Sequence, residues 1–450
     1  MAPNNGTLHP WGIFLNKFTD IPDELAPTRA TFAAGPAYRR GLPAVLGPGA
    51  LVAVGYMDPG NWATALEGGS RYGYRLLGVI VLASLLAMLL QWIAARVGVV
   101  TGRDLAQLCR EHSPRWAIVP FGLASEVAIV GCDVAEVVGS AVALQLLLEV
   151  PLWAGVLLST LMTLALFLVG RRGRHRLEIV VAALIVLVAA CVAAQLVAAH
   201  PDWSGVARGL APDPALLRDA GMLWLAAGIV GATVMPHNLY LHSALVKGHA
   251  APASPAARPV ARALAAAGID SAVSLGLAML VNAALLIVAA AVFHARHATQ
   301  VDDLAAAQRL LAPALHARWP GVLFALALLC CGLNAMLTGT LAGQAVMEGF
   351  LRLRMSRFRR ALLTRSLALG PALLATLAYG GHGSARLLVA SQVLLSLQLP
   401  LAMLPLLCFA CSRRLMGAWR LGPGMGALAW SGALLLVALN AALLWPAARG

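Results

Sequence analysis

Long apolar stretches, interrupted by short clusters of Arg, Pro and Gly, recur along almost the whole chain. Each is close to the roughly 20 residues that an α-helix needs to cross the hydrocarbon of a bilayer. Eleven such stretches are predicted as spans, at about 42–68, 76–99, 119–147, 152–169, 179–199, 222–246, 271–293, 321–347, 361–379, 387–410 and 425–444. Two of them are interrupted at mid-span, the first at Asp58-Pro59-Gly60-Asn61 and the sixth at Met235-Pro236-His237-Asn238. The predicted fold is therefore an all-α polytopic membrane protein. Its segments are a polar amino-terminal stretch at 1–41, a first group of five helices at 42–199 and a loop at 200–221, then a second group of five at 222–411 and an eleventh helix at 424–445.

Composition agrees with this reading. Of the 450 residues, 60% are apolar and 12% charged, whereas a soluble domain is roughly 25% charged. Only two lysines exist, Lys17 and Lys247, and neither precedes Ser or Thr, which excludes a Walker A phosphate loop and an ATP-driven pump built into the chain. Six of the seven cysteines, Cys132, Cys191, Cys330, Cys331, Cys408 and Cys411, fall in apolar stretches, as expected of small core side chains and not of zinc sites or disulfides. Residues 1–41 lack the basic, apolar and small-residue succession of a cleaved signal peptide, so the first span is expected to target the chain.

The formal charge of +14 first raises a nucleic-acid partner, yet the basic residues lie between the apolar runs and not on one face. They record orientation instead. With the amino terminus in the cytoplasm, inside segments hold 22 Arg and Lys against 9 outside, so the positive-inside rule puts that terminus inside and, after an odd number of spans, the carboxyl terminus outside. The loops 171–176 and 352–360 decide the count.

Five spans separate the two interrupted helices, so they enter the membrane from opposite faces. That is the pattern of two inverted five-helix repeats with a substrate site near the midplane, between unwound segments. A lone Pro in an apolar helix usually makes a kink and nothing more; two at matching places, each beside polar side chains, point to a binding site. Each Pro removes a helix hydrogen bond and leaves carbonyls of the preceding turn in need of a partner where water is absent. A cation is such a partner. Asp58 brings a negative charge to mid-bilayer, Asn61 a neutral oxygen, and the carbonyls near Val54, Gly55 and Ala232 further oxygens. Met235 adds a thioether, a soft donor with little attraction for magnesium or calcium, so the mixed set favours a transition-metal dication.

Span three carries Glu126, Asp133 and Glu136, at offsets of 7 and 10 residues, which places all three within about 80° on one helix face. Such acids either line a polar path or pair with arginines between helices, and the two roles are compatible. His237 follows the second break and titrates near neutrality when unperturbed, so it can pass a proton or be a bonded core histidine. Gln91, Asn282 and either Gln392 or Gln398 are amides in apolar spans that line the path or bridge helices. His242, five residues after His237, does not share its face, and no two-histidine metal site is expected.

The segments Gly55-Tyr56-Met57-Asp58-Pro59-Gly60-Asn61-Trp62-Ala63-Thr64 and Gly228 to Ser243, with its Ala232-Thr233-Val234-Met235-Pro236-His237-Asn238 core, resemble the two signature segments of the Nramp family, its bacterial manganese-transporter branch above all. The likeness extends through Thr101-Gly102-Arg103-Asp104-Leu105, Thr338 to Gln344, Ser391-Gln392 and Gln398-Leu399-Pro400, and so over most of the chain from about residue 42. The resemblance implies the LeuT-type fold and proton-coupled import of Mn2+ and Fe2+ across the bacterial inner membrane, with no cofactor. It also implies a metal held by Asp58, Asn61, Met235 and the Ala232 carbonyl, and proton transfer through His237, Asp133, Glu136 and arginines of span nine. Arg359 and Arg360 match those arginines, with Arg365 the alternative in a shifted register. The stretch Gly332-Leu333-Asn334-Ala335-Met336 departs from the family, where a more polar segment is expected, and His175 stands where an aromatic is more usual.

Competing readings are a sodium-coupled amino-acid carrier on the same fold, whose substrate carboxylate Asp58 would repel, and an Nramp-like magnesium carrier, against which Met235 argues. An intramembrane metalloenzyme would need a motif such as His-Glu-x-x-His, which is absent. A membrane metal sensor would have no use for two inverted breaks.

Overall fold

The computed structural model describes residues 48–171, 174–247, 257–296, 304–314, 317, 319–353, 357–379 and 384–447. The predicted start of span one and the amino-terminal segment lie outside them. Among the described residues the regular structure is helical, and a helix covers each of the eleven predicted spans. Span one is split into α1 (Pro48–Gly55) and α2 (Pro59–Tyr72). There follow α3 (Leu77–Thr101), a short α4 (Leu105–His112) and the long α5 (Arg115–Leu148) of span three. Next come α6 (Leu152–Arg171), α7 (Arg174–Ala199) and a loop helix α8 (Trp203–Gly209). Span six is split into α9 (Ala220–Thr233) and α10 (Pro236–Val246). The second half continues with α11 (Ala257–Val292), a peripheral α12 (Leu304–Ala314) and α13 (Trp319–Val346), which closes in a π-helical turn over Met347–Leu351. The last three spans are α14 (Arg357–Tyr379), α15 (Ser384–Cys411) and α16 (Pro423–Ala447).

The short loop helices α4, α8 and α12 are not among the predicted elements, because a search for continuous apolar runs passes over them. Packing exchanges the halves: α2 lies against α11 as α10 lies against α3, while α5 and α13 pack on each other. These are the partners expected when spans one and six, two and seven, and three and eight are equivalent. The arrangement is the LeuT-type fold of two inverted five-helix repeats, with α16 outside both.

Aspartates cap the helices that flank the core. The Asp58 carboxylate accepts from the Asn61 amide at 2.8 Å and starts α2, and Asp104 makes a full capping box with Gln107 on α4. Asp219 caps α9 and also accepts from the Tyr72 hydroxyl at 3.1 Å, which ties the end of α2 to the start of α9. Its carboxyl is held below the usual carboxylate range, first by the Met222 amide and then by the Tyr72 hydroxyl. On the opposite rim Lys247, just past α10, pairs with Asp104 at 2.6 Å, and the Leu105 amide donates to the Ser243 hydroxyl at 2.9 Å.

Without a hydrophobic drive between helices in lipid, close contact depends on small residues. Gly98 of α3 shows this, since a Cβ there would stand 2.4 Å from the Ser243 carbonyl oxygen of α10. Backbone cannot give way as a side-chain tip can. Gly98→Ala is expected to lower the melting temperature by a change worth about 1–3 kcal/mol, whereas Gly276→Ala, which meets nothing within 4 Å, should not lower it. Thermal unfolding of the two variants in one detergent checks this.

Candidate functional site

Pro59 and Pro236 sit four residues after Gly55 and Ala232, so these two carbonyls lose the amide that a continuous helix would give them. Between α1 and α2 the chain turns at Tyr56 and Met57, whose amides reach back to Ala53 and Val54. Between α9 and α10 it turns at Val234 and Met235. The turns meet: a Cβ on Gly55 would lie 2.6 Å from Asn238 Nδ2 and 3.3 Å from Thr338 Oγ1. Asn238 Nδ2 in turn contacts Met235 Sδ at 3.4 Å.

Asp58 and Met235 are fully buried, Asn61 and His237 nearly so. Asn61 spends its amide nitrogen on the Tyr56 carbonyl at 3.1 Å, and its Oδ1 has no hydrogen-bond partner among the described residues. Asn238 Oδ1, Gln392 Oε1 and His237 Nδ1 are in the same condition. Buried polar atoms are normally bonded, so these unsatisfied groups on the two broken helices and on α15 are available to a ligand. Among the described residues no three His, Cys, Asp or Glu side chains come together as a metal cluster. The break therefore offers one carboxylate and a set of neutral oxygens with one sulfur.

The four amides separate. Gln392 of α15 points at the break, with its Nε2 3.5 Å from Asp58 Oδ2. Gln91 and Asn282 instead hold Tyr56: Gln91 Nε2 donates to its hydroxyl at 2.6 Å and Asn282 Nδ2 to its carbonyl at 2.9 Å, while His242 Nδ1 contacts Gln91 Oε1 at 2.9 Å. Gln398 donates to Ser125 Oγ at 3.3 Å on α5. Tyr56 has no assigned role in the sequence reading and Cys132 only that of a small core side chain, yet both are central. The Cys132 thiol lies 3.5 Å from Glu136 Oε1 and 4.0 Å from Asp58 Oδ2, between the break and the acids of α5. All seven cysteines are unbridged.

Those acids do lie on one face, and it is turned toward α13 and α14. Arg365 NH2 stands 3.1 Å from Asp133 Oδ1 and 3.5 Å from Glu136 Oε2, and donates to the Met336 carbonyl at 2.9 Å. Arg360 NH2 pairs with Glu126 Oε2 at 2.6 Å, and its NH1 contacts Met347 Sδ. Arg360 and Arg365 are buried, whereas Arg359 is exposed. Arg360 and Arg365 are thus the arginines of span nine that meet the acids of α5, each on a different carboxylate and about 140° apart around the helix, while Arg359 stays at the surface. Glycines of α13 make room for the charges, since a Cβ at Gly339 would be 3.0 Å from Asp133 Oδ1 and one at Gly343 2.2 Å from Arg360 NH2.

The chain resembles several known proteins. Residues 49–446 match the family described as natural resistance-associated macrophage protein-like, or Nramp. A divalent metal cation transporter MntH of Xanthomonas campestris is 49% identical over 409 residues, 91% of this chain and 92% of that protein. One from Bradyrhizobium diazoefficiens is 48% identical over 432 residues, 95% of each. The crystal structure of the Eremococcus coleocola manganese transporter, in complex with an aromatic bis-isothiourea compound, superposes with a TM-score of 0.81 at 37% identity, covering 88% of this chain and 85% of that one. MhsT in complex with L-phenylalanine matches with a TM-score of 0.58 at 16% identity, covering 90% of this chain and all of that one, a likeness of fold alone.

Breaking a buried ion pair from one side leaves an uncompensated charge, at a cost of about 3–5 kcal/mol. Arg365→Leu should lower the melting temperature by that order, because Asp133 and Glu136 share its guanidinium, and Arg359→Leu should shift it far less. Melting curves of the purified variants decide between the two registers.

Proposed function

The chain belongs to the Nramp family of membrane transporters, and from that premise we propose that it imports divalent transition metals, Mn2+ or Fe2+, together with protons and by alternating access. It is a multi-pass membrane transporter and not an enzyme. The observation that carries the metal reading is the meeting of two broken helices, one with the buried Asp58 carboxylate and the unbonded Asn61 oxygen, the other with the Met235 sulfur against Asn238, where Asn238 in turn lies against Gly55.

In this reading Asp58, Asn61, Met235 and the carbonyls of Ala232 and Gly55 hold the ion. The carboxylate supplies the charge, the neutral oxygens complete a hard partial shell, and the thioether discriminates against calcium and magnesium, which have little attraction for sulfur. Gln392, 3.5 Å from Asp58, fixes the carboxylate. A dication that docks on Asp58 competes with a proton for the same oxygens. The displaced proton has a path of polar groups from Asp58 past Cys132 to Glu136 and Asp133, then toward Glu126, with Arg365 and Arg360 balancing the acids. His237, at the start of α10, is a second proton carrier beside the break.

The membrane potential favours import. With the amino terminus in the cytoplasm of a bacterial inner membrane, an inward-negative potential contributes about 2.3 kcal/mol per charge per 100 mV. The two repeats, 42–199 and 222–411, then exchange access to the site by tilting against each other.

Proteoliposome uptake of a panel of divalent ions, with internal pH recorded alongside, tests the proposal. Wild-type protein should accumulate Mn2+ and Fe2+ and acidify the lumen; Asp58→Ala should do neither, and retained uptake would sink the scheme. Met235→Ala is expected to keep Mn2+ transport while admitting Ca2+ or Mg2+ in competition assays. Unchanged selectivity would remove the thioether from the argument.

A further inference from the structure

The eleventh helix belongs to neither repeat, and most of its surface is the apolar face of a lipid-exposed helix, with Leu428, Leu434, Leu435, Val437 and Leu444 outward. One residue breaks the pattern. Asn440 is buried against α15 and makes two hydrogen bonds to a single residue there: its Nδ2 donates to the Ser396 carbonyl at 2.7 Å, and its Oδ1 accepts from Ser396 Oγ at 2.8 Å.

The reason for this pairing lies four residues further on. Pro400 has no N–H, so the Ser396 carbonyl lacks the helical donor that residue 400 would have supplied, and the ring pushes that carbonyl off the helix axis. Asn440 supplies the missing donor. A bare carbonyl at this depth costs several kcal/mol in lipid, so the turn of α15 that ends at Ser396 depends on α16.

That turn faces the substrate site on two sides. Gly231 lies against its backbone, and a Cβ there would stand 1.8 Å from the Gln392 carbonyl oxygen and 2.8 Å from the Ser396 amide. Gly231 immediately precedes Ala232, the residue four before Pro236 whose carbonyl loses its helical donor. On the other side Gln392 reaches over Gly60, where a Cβ would be 2.0 Å from its Nε2, to contact Asp58 Oδ2. The contacts run unbroken from Asn440 through Ser396 and Gln392 to Asp58.

We propose that Asn440 is a positioning residue for the metal site: by satisfying the carbonyl freed by Pro400, it fixes the Gln392–Ser396 turn that seats helix six and orients Gln392 on Asp58. The proposal rests on the metal reading given above. It assigns the eleventh helix a part in substrate affinity, where a helix outside both repeats would otherwise serve only to cover them.

The test is equilibrium Mn2+ binding, with KM and Vmax of Mn2+ uptake, for wild type, Asn440→Leu, Gln392→Ala and the double variant in lipid nanodiscs and proteoliposomes. Asn440→Leu should weaken binding roughly tenfold, the order expected when one buried hydrogen bond is left unmade, and raise KM while Vmax per folded protein holds. The double variant should be no weaker than Gln392→Ala alone, because both changes act through one contact. Asn440→Ser, polar but too short to reach the carbonyl, serves if the leucine variant does not accumulate and should lose affinity likewise. Ser396→Ala, which keeps the carbonyl bond to Asn440 Nδ2, should lose less affinity than Asn440→Leu. Unchanged affinity in both Asn440 variants, or losses that multiply in the double variant, would overturn the positioning role. Failure of the wild type to bind Mn2+ would overturn the metal reading itself.

Discussion

A backbone carbonyl inside a bilayer must find a donor or a cation, because no water is there to serve it. Several spans contain proline, and three of these, Pro59, Pro236 and Pro400, remove helical donors around the candidate site, where the freed carbonyls are treated differently. Those of Gly55 and Ala232 belong to the turns where the two helices break, and Asp58 and Met235 at those breaks are fully buried. That of Ser396 is answered by Asn440 from another helix. On the proposed reading the first two are left for the cargo, and the third is closed by Asn440.

The same economy governs charge. Asp133, Glu136 and Arg365 are all within a few percent of complete burial, an arrangement whose desolvation is costly unless partners lie within contact distance. The chain provides them by bringing α13 close through glycines, so that carboxylates and guanidiniums occupy volume that side chains of α13 would otherwise fill. Cys132 then connects this paired cluster with Asp58. The break and the acid face of α5 are one continuous polar body inside an apolar protein.

Much of this was legible in the sequence, and the reasons differ by feature. Spans show because hydrocarbon thickness sets a length, and the breaks show because Pro beside Asp or His is conspicuous in an apolar run. The acids of span three share a face because 7 and 10 residues are near-multiples of the helical turn. What could not be read was which partner each polar residue faces. Gln91, Asn282 and Gln392 look alike in sequence, yet two of them hold Tyr56 and one reaches Asp58. Arg359 and Arg365 differ only by register, and neighbouring helices decide it. Asn440 had a signal, an amide alone in an apolar span, but its meaning depends on Pro400, 40 residues away in sequence.

The rims of the two broken helices are bound more firmly than their middles. Tyr72 and Asp219 lash the end of α2 to the start of α9, while Lys247 and Asp104 moor the end of α10 to the connector before α5. A beam fixed at its ends and cut at its centre bends at the cut. On the proposed reading the cut in each helix is also where the cargo would sit, so that the cargo would act as the pin of the hinge, stiffening the joint while in place and freeing it on departure.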